Sequence, residues 1–153
     1  MTAEDTGLGE AARLAALQRL RDAGLRPTRQ RVALAILLLA KPETRHVTAE
    51  QLFAEATAAG VPLSLATVYN TLHQFTAAGM VQPVVLQAGR NHFDTNTRPH
   101  QHVVQADGTI IDIPSDQVRL ASLPPLPEGT TLERVDVVIR VRRASPGTDS
   151  RAP

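Results

Sequence analysis

Residues 47–79 read VTAEQLFAEATAAGVPLSLATVYNTLHQFTAAG, and two capped helices can be spelled out from them. Thr48-Ala-Glu-Gln51 has the makings of a capping box, in which the Thr hydroxyl accepts from the amide three residues on and Gln51 reaches back to the Thr48 amide. Val47 before the cap and Leu52 after it form a hydrophobic staple, and Gly60 closes the helix. Gly60-Val-Pro-Leu63 leaves room only for a turn. Ser64 then caps a further helix, with Leu63 and Val68 as its staple, Val68, Leu72 and Phe75 as its buried stripe, and Gly79 as its end. Two short helices joined by so short a turn make a helix-turn-helix.

The same reading extends outward. Upstream, Leu14, Leu17 and Leu20 recur at helical spacing until Gly24, and Pro27-Thr28 restarts the chain with Thr28 as N-cap of an apolar helix reaching about Ala40. Downstream the period changes. Val81, Val84 to Leu86 and His92-Phe93 bracket Gln87-Ala-Gly-Arg90, a β-hairpin with a glycine turn. A helix-turn-helix followed by a hairpin is a winged helix. Beyond Thr97, His102 to Ala106 and Thr109 to Ile113 flank Asp107-Gly108, a strong hairpin turn. A short helix over about Asp116 to Ser122, a Pro-rich link at Pro124 to Pro127 and a strand over Arg134 to Val141 complete the pattern. Three strands cannot cover both faces of a sheet, so this module is expected to pair with its own copy. The predicted class is α+β: a winged helix-turn-helix DNA-binding domain over 11–96 and a small α/β dimerisation domain with a three-stranded sheet over 97–143. Disordered tails are expected at 1–10 and 144–153.

Charge supports two unlike modules. The chain has 153 residues and a formal net charge of +1. Yet Arg13 to Arg31 holds six Arg against one acid, whereas Arg98 to Val138 holds three Arg against six acids. A basic module beside an acidic one points to a polyanion partner for the first. No Cys is present, which excludes disulfides, thiolate zinc sites and a Cys nucleophile. No apolar run approaches a membrane span and the acidic start is unlike a signal peptide, so a cytoplasmic protein is expected.

His100-Gln-His102 is the sharpest chemical feature. Residues two apart on a strand project to one side, so both imidazoles can converge on one ion. Asp94 lies six residues upstream of His100, Asp112 on the partner strand and His46 just before the capped helix. Imidazoles with carboxylates make a nitrogen and oxygen donor set suited to Fe2+, Mn2+ or Zn2+. No His-Glu-x-x-His helix, Gly-x-Ser-x-Gly elbow or phosphate-binding glycine loop occurs. A metal-dependent hydrolase using the same cluster would leave the two capped helices, the wing and the basic lead-in unexplained, and a metal-free dimeric DNA-binding module is a third option. His73 and His92 read as structural or DNA-proximal.

Gly24-Leu-Arg-Pro-Thr-Arg-Gln-Arg31, Arg45-His-Val-Thr-Ala-Glu-Gln-Leu52 and Ser64-Leu-Ala-Thr-Val-Tyr-Asn-Thr-Leu72 closely resemble the ferric uptake regulator family. Phe93-Asp-Thr-Asn-Thr97, His100-Gln-His102 and Ile111-Asp-Ile-Pro114 resemble its iron response regulator branch. The resemblance spans about residues 14–143. It implies a homodimeric winged-helix transcription regulator of iron homeostasis, not an enzyme, with one divalent metal site per subunit joining the two domains. By motif the ligands would be His46, Asp94, His100, His102 and Asp112, holding Mn2+ or Fe2+, with Zn2+ as a further candidate. The residues facing operator DNA would be Arg26, Arg29, Arg31, Ser64, Thr67, Tyr69, Asn70 and Arg90, with the fourth helix in the major groove. Neither a membrane nor a small-molecule substrate is implied.

Departures from the family pattern shape further expectations. The paired Cys-x-x-Cys zinc site is missing, with Gln105 and Asp107 in the region of its first pair. Pro99 and Gln101 stand where an auxiliary metal site usually takes ligands. The branch's Cys-Pro haem motif is absent, so haem as an effector would have to use His100 and His102. A peroxide-sensing repressor with iron or manganese at the same residues is the alternative reading.

Overall fold

The computed structural model describes residues 3–87 and 90–145. The chain divides into two units, residues 1–97 and residues 98–153. The first holds helices α1 (Ala3–Asp22), α2 (Arg29–Leu39), α3 (Ala49–Ala58) and α4 (Leu65–Ala77) and a sheet of β1 (His46–Val47), β2 (Gln82–Gln87) and β3 (Arg90–Asp94), in the order β1-β3-β2. The second holds an independent sheet of β4 (His100–Val104), β5 (Ile110–Pro114) and β6 (Val138–Arg140), in the order β5-β4-β6, with β6 parallel to β4.

The helix starts are as the local chemistry dictates. Thr48 Oγ1 accepts from Gln51 N at 3.2 Å while Gln51 Oε1 accepts from Thr48 N at 2.9 Å, a closed capping box. Thr28 and Ser64 cap α2 and α4 through the amides of Arg31 and Thr67. At the other end of α4, Gly79 adopts φ of 74°, open to glycine at little cost, so that Met80 N reaches Phe75 O and Gly79 N reaches Thr76 O. The same pair of bonds ends α1 and α3.

Packing follows the predicted stripes. Phe75, Leu72 and Val68 of α4 are fully buried together with Leu52 of α3, Leu34 and Leu38 of α2 and Leu20 of α1. Each such side chain contributes about 1.5–3 kcal/mol of burial, so this cluster sets the frame on which the sheet's side chains sit. Among the described residues, no helix is long and apolar enough to cross a membrane.

Several expectations are corrected. Helix α1 begins at Ala3 rather than after a tail of ten residues. Ala, Glu and Leu in this stretch are good helix formers and outweigh Gly7 and Gly9. The helix expected over about 116–122 is a single 3-10 turn, Ser115–Gln117, after which the chain stays irregular to β6. Pro124, Pro125 and Pro127 fix φ, lack donors and push the residues before them out of the helical region. The described part of the second unit therefore holds no α-helix, and its third strand is shorter than the expected Arg134 to Val141. β4 and β5 are shifted one or two residues from their predicted limits. The wing turn at 88–89 and the tail residues 1–2 and 146–153 lie outside the described residues.

Thr48→Ala removes one bond of the capping box and is expected to lower the free energy of urea unfolding by about 1 kcal/mol. An unchanged unfolding midpoint would show that α3 needs no such cap.

Candidate metal centre and DNA face

β1 was not anticipated from sequence, and it is what places His46. Only two residues long, it pairs antiparallel with β3 so that His46 lies directly opposite Asp94 and Val47 opposite Phe93. Bonds just outside the pair hold the register: Thr95 N donates to Arg45 O at 2.9 Å and Arg45 N donates to Thr95 Oγ1 at 2.8 Å. The Arg45 guanidinium adds bonds to Leu37 O at 2.6 Å and to Glu55 Oε1. His46 Nε2 stands 3.3 Å from Asp94 Oδ2, and Asp94 is wholly buried. Its other oxygen accepts from Asn96 N at 2.8 Å. His92 is the next residue of β3 on the Asp94 side. Burial, and then the charge of His46, hold its imidazole below the usual range and so favour the neutral ring.

The second unit has a cluster of its own. β4 alternates in burial, with His100, His102 and Val104 inward. His102 faces Asp112 across the β4–β5 ladder. His100 Nε2 lies 2.9 Å from His102 Nε2 and 3.4 Å from Asp112 Oδ1, and His102 Nε2 lies 3.7 Å from the same oxygen. His100 Nδ1 is 2.6 Å from Arg98 O. A carbonyl can only accept, so Nδ1 carries the proton there and Nε2 keeps its lone pair for an ion.

These spacings suit coordination. Two neighbouring donors on a cation with bonds of about 2.1 Å stand ~3.0 Å apart if octahedral and ~3.4 Å if tetrahedral. The 2.9, 3.3 and 3.4 Å separations fall in that range, and the 3.7 Å between His102 and Asp112 lies just beyond it. Haem fits this pair poorly. Two axial imidazoles flank the iron from opposite sides with nitrogens roughly 4 Å apart, twice a metal–imidazole bond of about 2 Å, whereas these face each other from one side at 2.9 Å. A single histidine is the most that this arrangement can offer to one haem.

Gln101, on the opposite side of β4, accepts from Val137 N at 2.7 Å and so fastens the approach to β6. Gln105 and Asp107 close the β4–β5 turn: Gln105 N donates to Thr109 O, and Asp107 Oδ1 accepts from Thr109 N at 2.9 Å. The bond from the Thr109 amide lowers the Asp107 carboxyl.

The residues expected at DNA fare differently from one another. Arg26, Arg29, Ser64, Asn70 and Arg90 are exposed. Thr67 is half-buried and shares a 3.0 Å hydroxyl contact with the cap Ser64. Arg31 is committed inside the unit: Nε and Nη2 donate to Gln74 Oε1 at 3.0 and 2.8 Å, and Nη1 donates to Arg26 O at 2.7 Å. It ties the start of α2 to α4, a role that its charge alone did not reveal. Tyr69 Oη donates to Glu50 Oε1 at 2.6 Å. His73, on the outer side of α4, meets Phe93 edge-on with ring centres 6.2 Å apart. The sequence reading had no reason to single out Glu50, Arg45 or Gln74.

Residues 22–138 match the ferric uptake regulator family. The ferric uptake regulation protein of Vibrio cholerae is 36% identical over 103 residues, which is 66% of this chain and 68% of that one. Its counterpart in Vibrio anguillarum is 38% identical over the same shares. Among solved structures, the ferric uptake regulator of Pseudomonas aeruginosa with manganese superposes with a TM-score of 0.64 at 30% identity, over 85% of this chain and 98% of that one. The Vibrio cholerae regulator follows at 0.62 and 28%, over 82% and 98%.

Asp112→Ala is expected to weaken Mn2+ binding by more than about tenfold in a calorimetric titration, with the circular dichroism of the apoprotein unchanged. Equal affinity in the variant would take Asp112 out of the donor set.

Proposed function

The chain belongs to the ferric uptake regulator family of transcription regulators, and from that premise we propose that it is a cytoplasmic, homodimeric, metal-responsive regulator of iron homeostasis that binds operator DNA. The observation that carries this reading is that each unit holds its own incomplete set of donors. His46 and Asp94 in one, and His100, His102 and Asp112 in the other, are both spaced as neighbours on a cation. That all five serve one ion is what the family resemblance implies, and each set by itself offers only two or three protein donors.

The donor set of three imidazoles and two carboxylates suits Mn2+ or Fe2+, with Zn2+ as a competitor. A cation held by these residues would supply positive charge to offset the Asp94 and Asp112 carboxylates. The chain's own residues do the rest. Arg45 and Thr95 hold His46 against Asp94, and Arg98 O sets the tautomer of His100. A partner that binds one arrangement of the units better than others shifts the population towards it, and operator DNA and metal then strengthen each other's binding.

On the DNA side, Arg26, Arg29 and Arg90 supply charge for phosphate, and α4 supplies Tyr69 and Asn70 for base edges in the major groove. The homodimer is supported by uncovered apolar surface in the second unit. Ile111, Leu120, Leu123, Leu126, Leu132, Ile139 and Val141 are each at least 40% exposed. A surface of that kind marks an interface. Within the family, the iron response regulator branch is favoured by the run Phe93 to Thr97, His100-Gln-His102 and Ile111 to Pro114, which coincides with the strands carrying four of the five donors. Haem, as that branch's effector, would then have one of His100 and His102 as its ligand rather than both.

A gel-shift on the protein's own promoter regions with Mn2+, anaerobic Fe2+, Zn2+, chelator and haem tests the reading. Retarded DNA is expected with Mn2+ or Fe2+ and is expected to disappear with chelator. His102→Ala should lose metal-dependent retardation while sedimenting as a dimer. Retardation unaffected by chelator, or by His102→Ala, would refute a metal-controlled regulator. One added oxygen on His46 or His100 after peroxide treatment of the iron form would favour a peroxide sensor over a haem-released regulator.

A further inference from the structure

The bond between Tyr69 and Glu50 has a consequence for which bases the protein selects, and this rests on the placement of α4 on DNA proposed above. Tyr69 lies in the second turn of α4 and Glu50 in the first turn of α3, and the phenol donates to the carboxylate at 2.6 Å. That bond is the main reason that the Glu50 carboxyl is lowered and the Tyr69 phenol raised. At neutral pH it therefore joins a neutral phenol to a charged carboxylate, a strong and directional pairing. Arg90, at the start of β3, is near enough for its charge to act on Glu50. Glu50 is thus an acid among groups expected to meet a polyanion, where it can only weaken attraction to phosphate.

We propose that Glu50 is a specificity-determining residue: by taking the one phenolic proton of Tyr69, it leaves that oxygen able only to accept, so that Tyr69 selects a base edge bearing a donor. A phenol has a single O–H and spare acceptor capacity. In the major groove the donors are adenine N6 and cytosine N4, whereas guanine and thymine offer only acceptors and the thymine methyl. Phosphate oxygens are acceptors too. Held this way, the Tyr69 oxygen favours adenine or cytosine at the position it faces and gains nothing from the backbone.

The test uses the full chain loaded with Mn2+ and a duplex that the wild-type protein selects from a random-sequence pool, with every base pair of that duplex then replaced in turn. At one position, exchanging adenine or cytosine for guanine or thymine should cost the wild type about fivefold, the worth of one hydrogen bond. In Glu50→Ala that discrimination should vanish while affinity for a random-sequence duplex holds or rises. Glu50→Gln, whose amide oxygen can still take the proton, should keep it. Tyr69→Phe, which leaves α3 untouched, should lose the same discrimination, with no further loss when combined with Glu50→Ala. Unaltered discrimination in Glu50→Ala, additive losses in the double variant, or Glu50→Gln behaving as Glu50→Ala would each overturn the inference. A Tyr69→Phe variant equal to wild type at every position would instead remove Tyr69 from the DNA, and with it the premise.

Discussion

Asp94 is a carboxylate with no exposed surface, and such a group must be met by donors or by positive charge. Stripping an ionised carboxylate of water costs several kcal/mol even after the protein relaxes. The chain meets this demand locally, with Asn96 N on one oxygen and His46 3.3 Å from the other. Everything that positions those two groups then becomes necessary: the short β1–β3 ladder, the reciprocal bonds of Arg45 and Thr95, and the core of Leu52, Leu72, Phe75 and Phe93 behind them. The same logic governs His100 and His102. Two largely buried imidazoles with nitrogens 2.9 Å apart need an electrophile between them, either a proton or a metal ion.

How much of this could be read from residues alone depended on the range of the forces involved. Capping is decided within four residues, so Thr28, Thr48 and Ser64 announced their helices directly. Strand alternation is equally local, and it put His100 and His102 on one side of β4 before any pairing partner was known. β1 was illegible because two residues carry no periodicity; it exists only because β3 offers it an edge, and that edge is formed by residues almost fifty positions away. The irregular stretch before β6 misled in the opposite direction. Asp116 to Ser122 has helical spacing, and the prolines that follow decide against it.

The candidate donors were legible from pattern and family resemblance, whereas the groups that support them were not. Glu55 and Gln74 lie in none of the motifs, Arg45 and Glu50 sit in one that says nothing of their partners, and the roles of all four depend on which helix packs beside which. Arg31 shows the difference most clearly. In the sequence it is one of a run of arginines suited to phosphate, yet in the fold its guanidinium bridges Gln74 and the Arg26 carbonyl. Charge patterning identified a basic module but could not separate the arginines that face outward from the one that braces α2 against α4.

The central proposal is that these five residues serve one cation, and counting imidazoles on a bound metal tests it most directly. Pulsed electron paramagnetic resonance of the Mn2+-loaded protein should find three imidazole nitrogens on one ion per chain and one fewer in His46→Ala. A nitrogen signal that His46→Ala leaves unchanged would take His46 out of the donor set, and the proposal of a single five-residue site would fail.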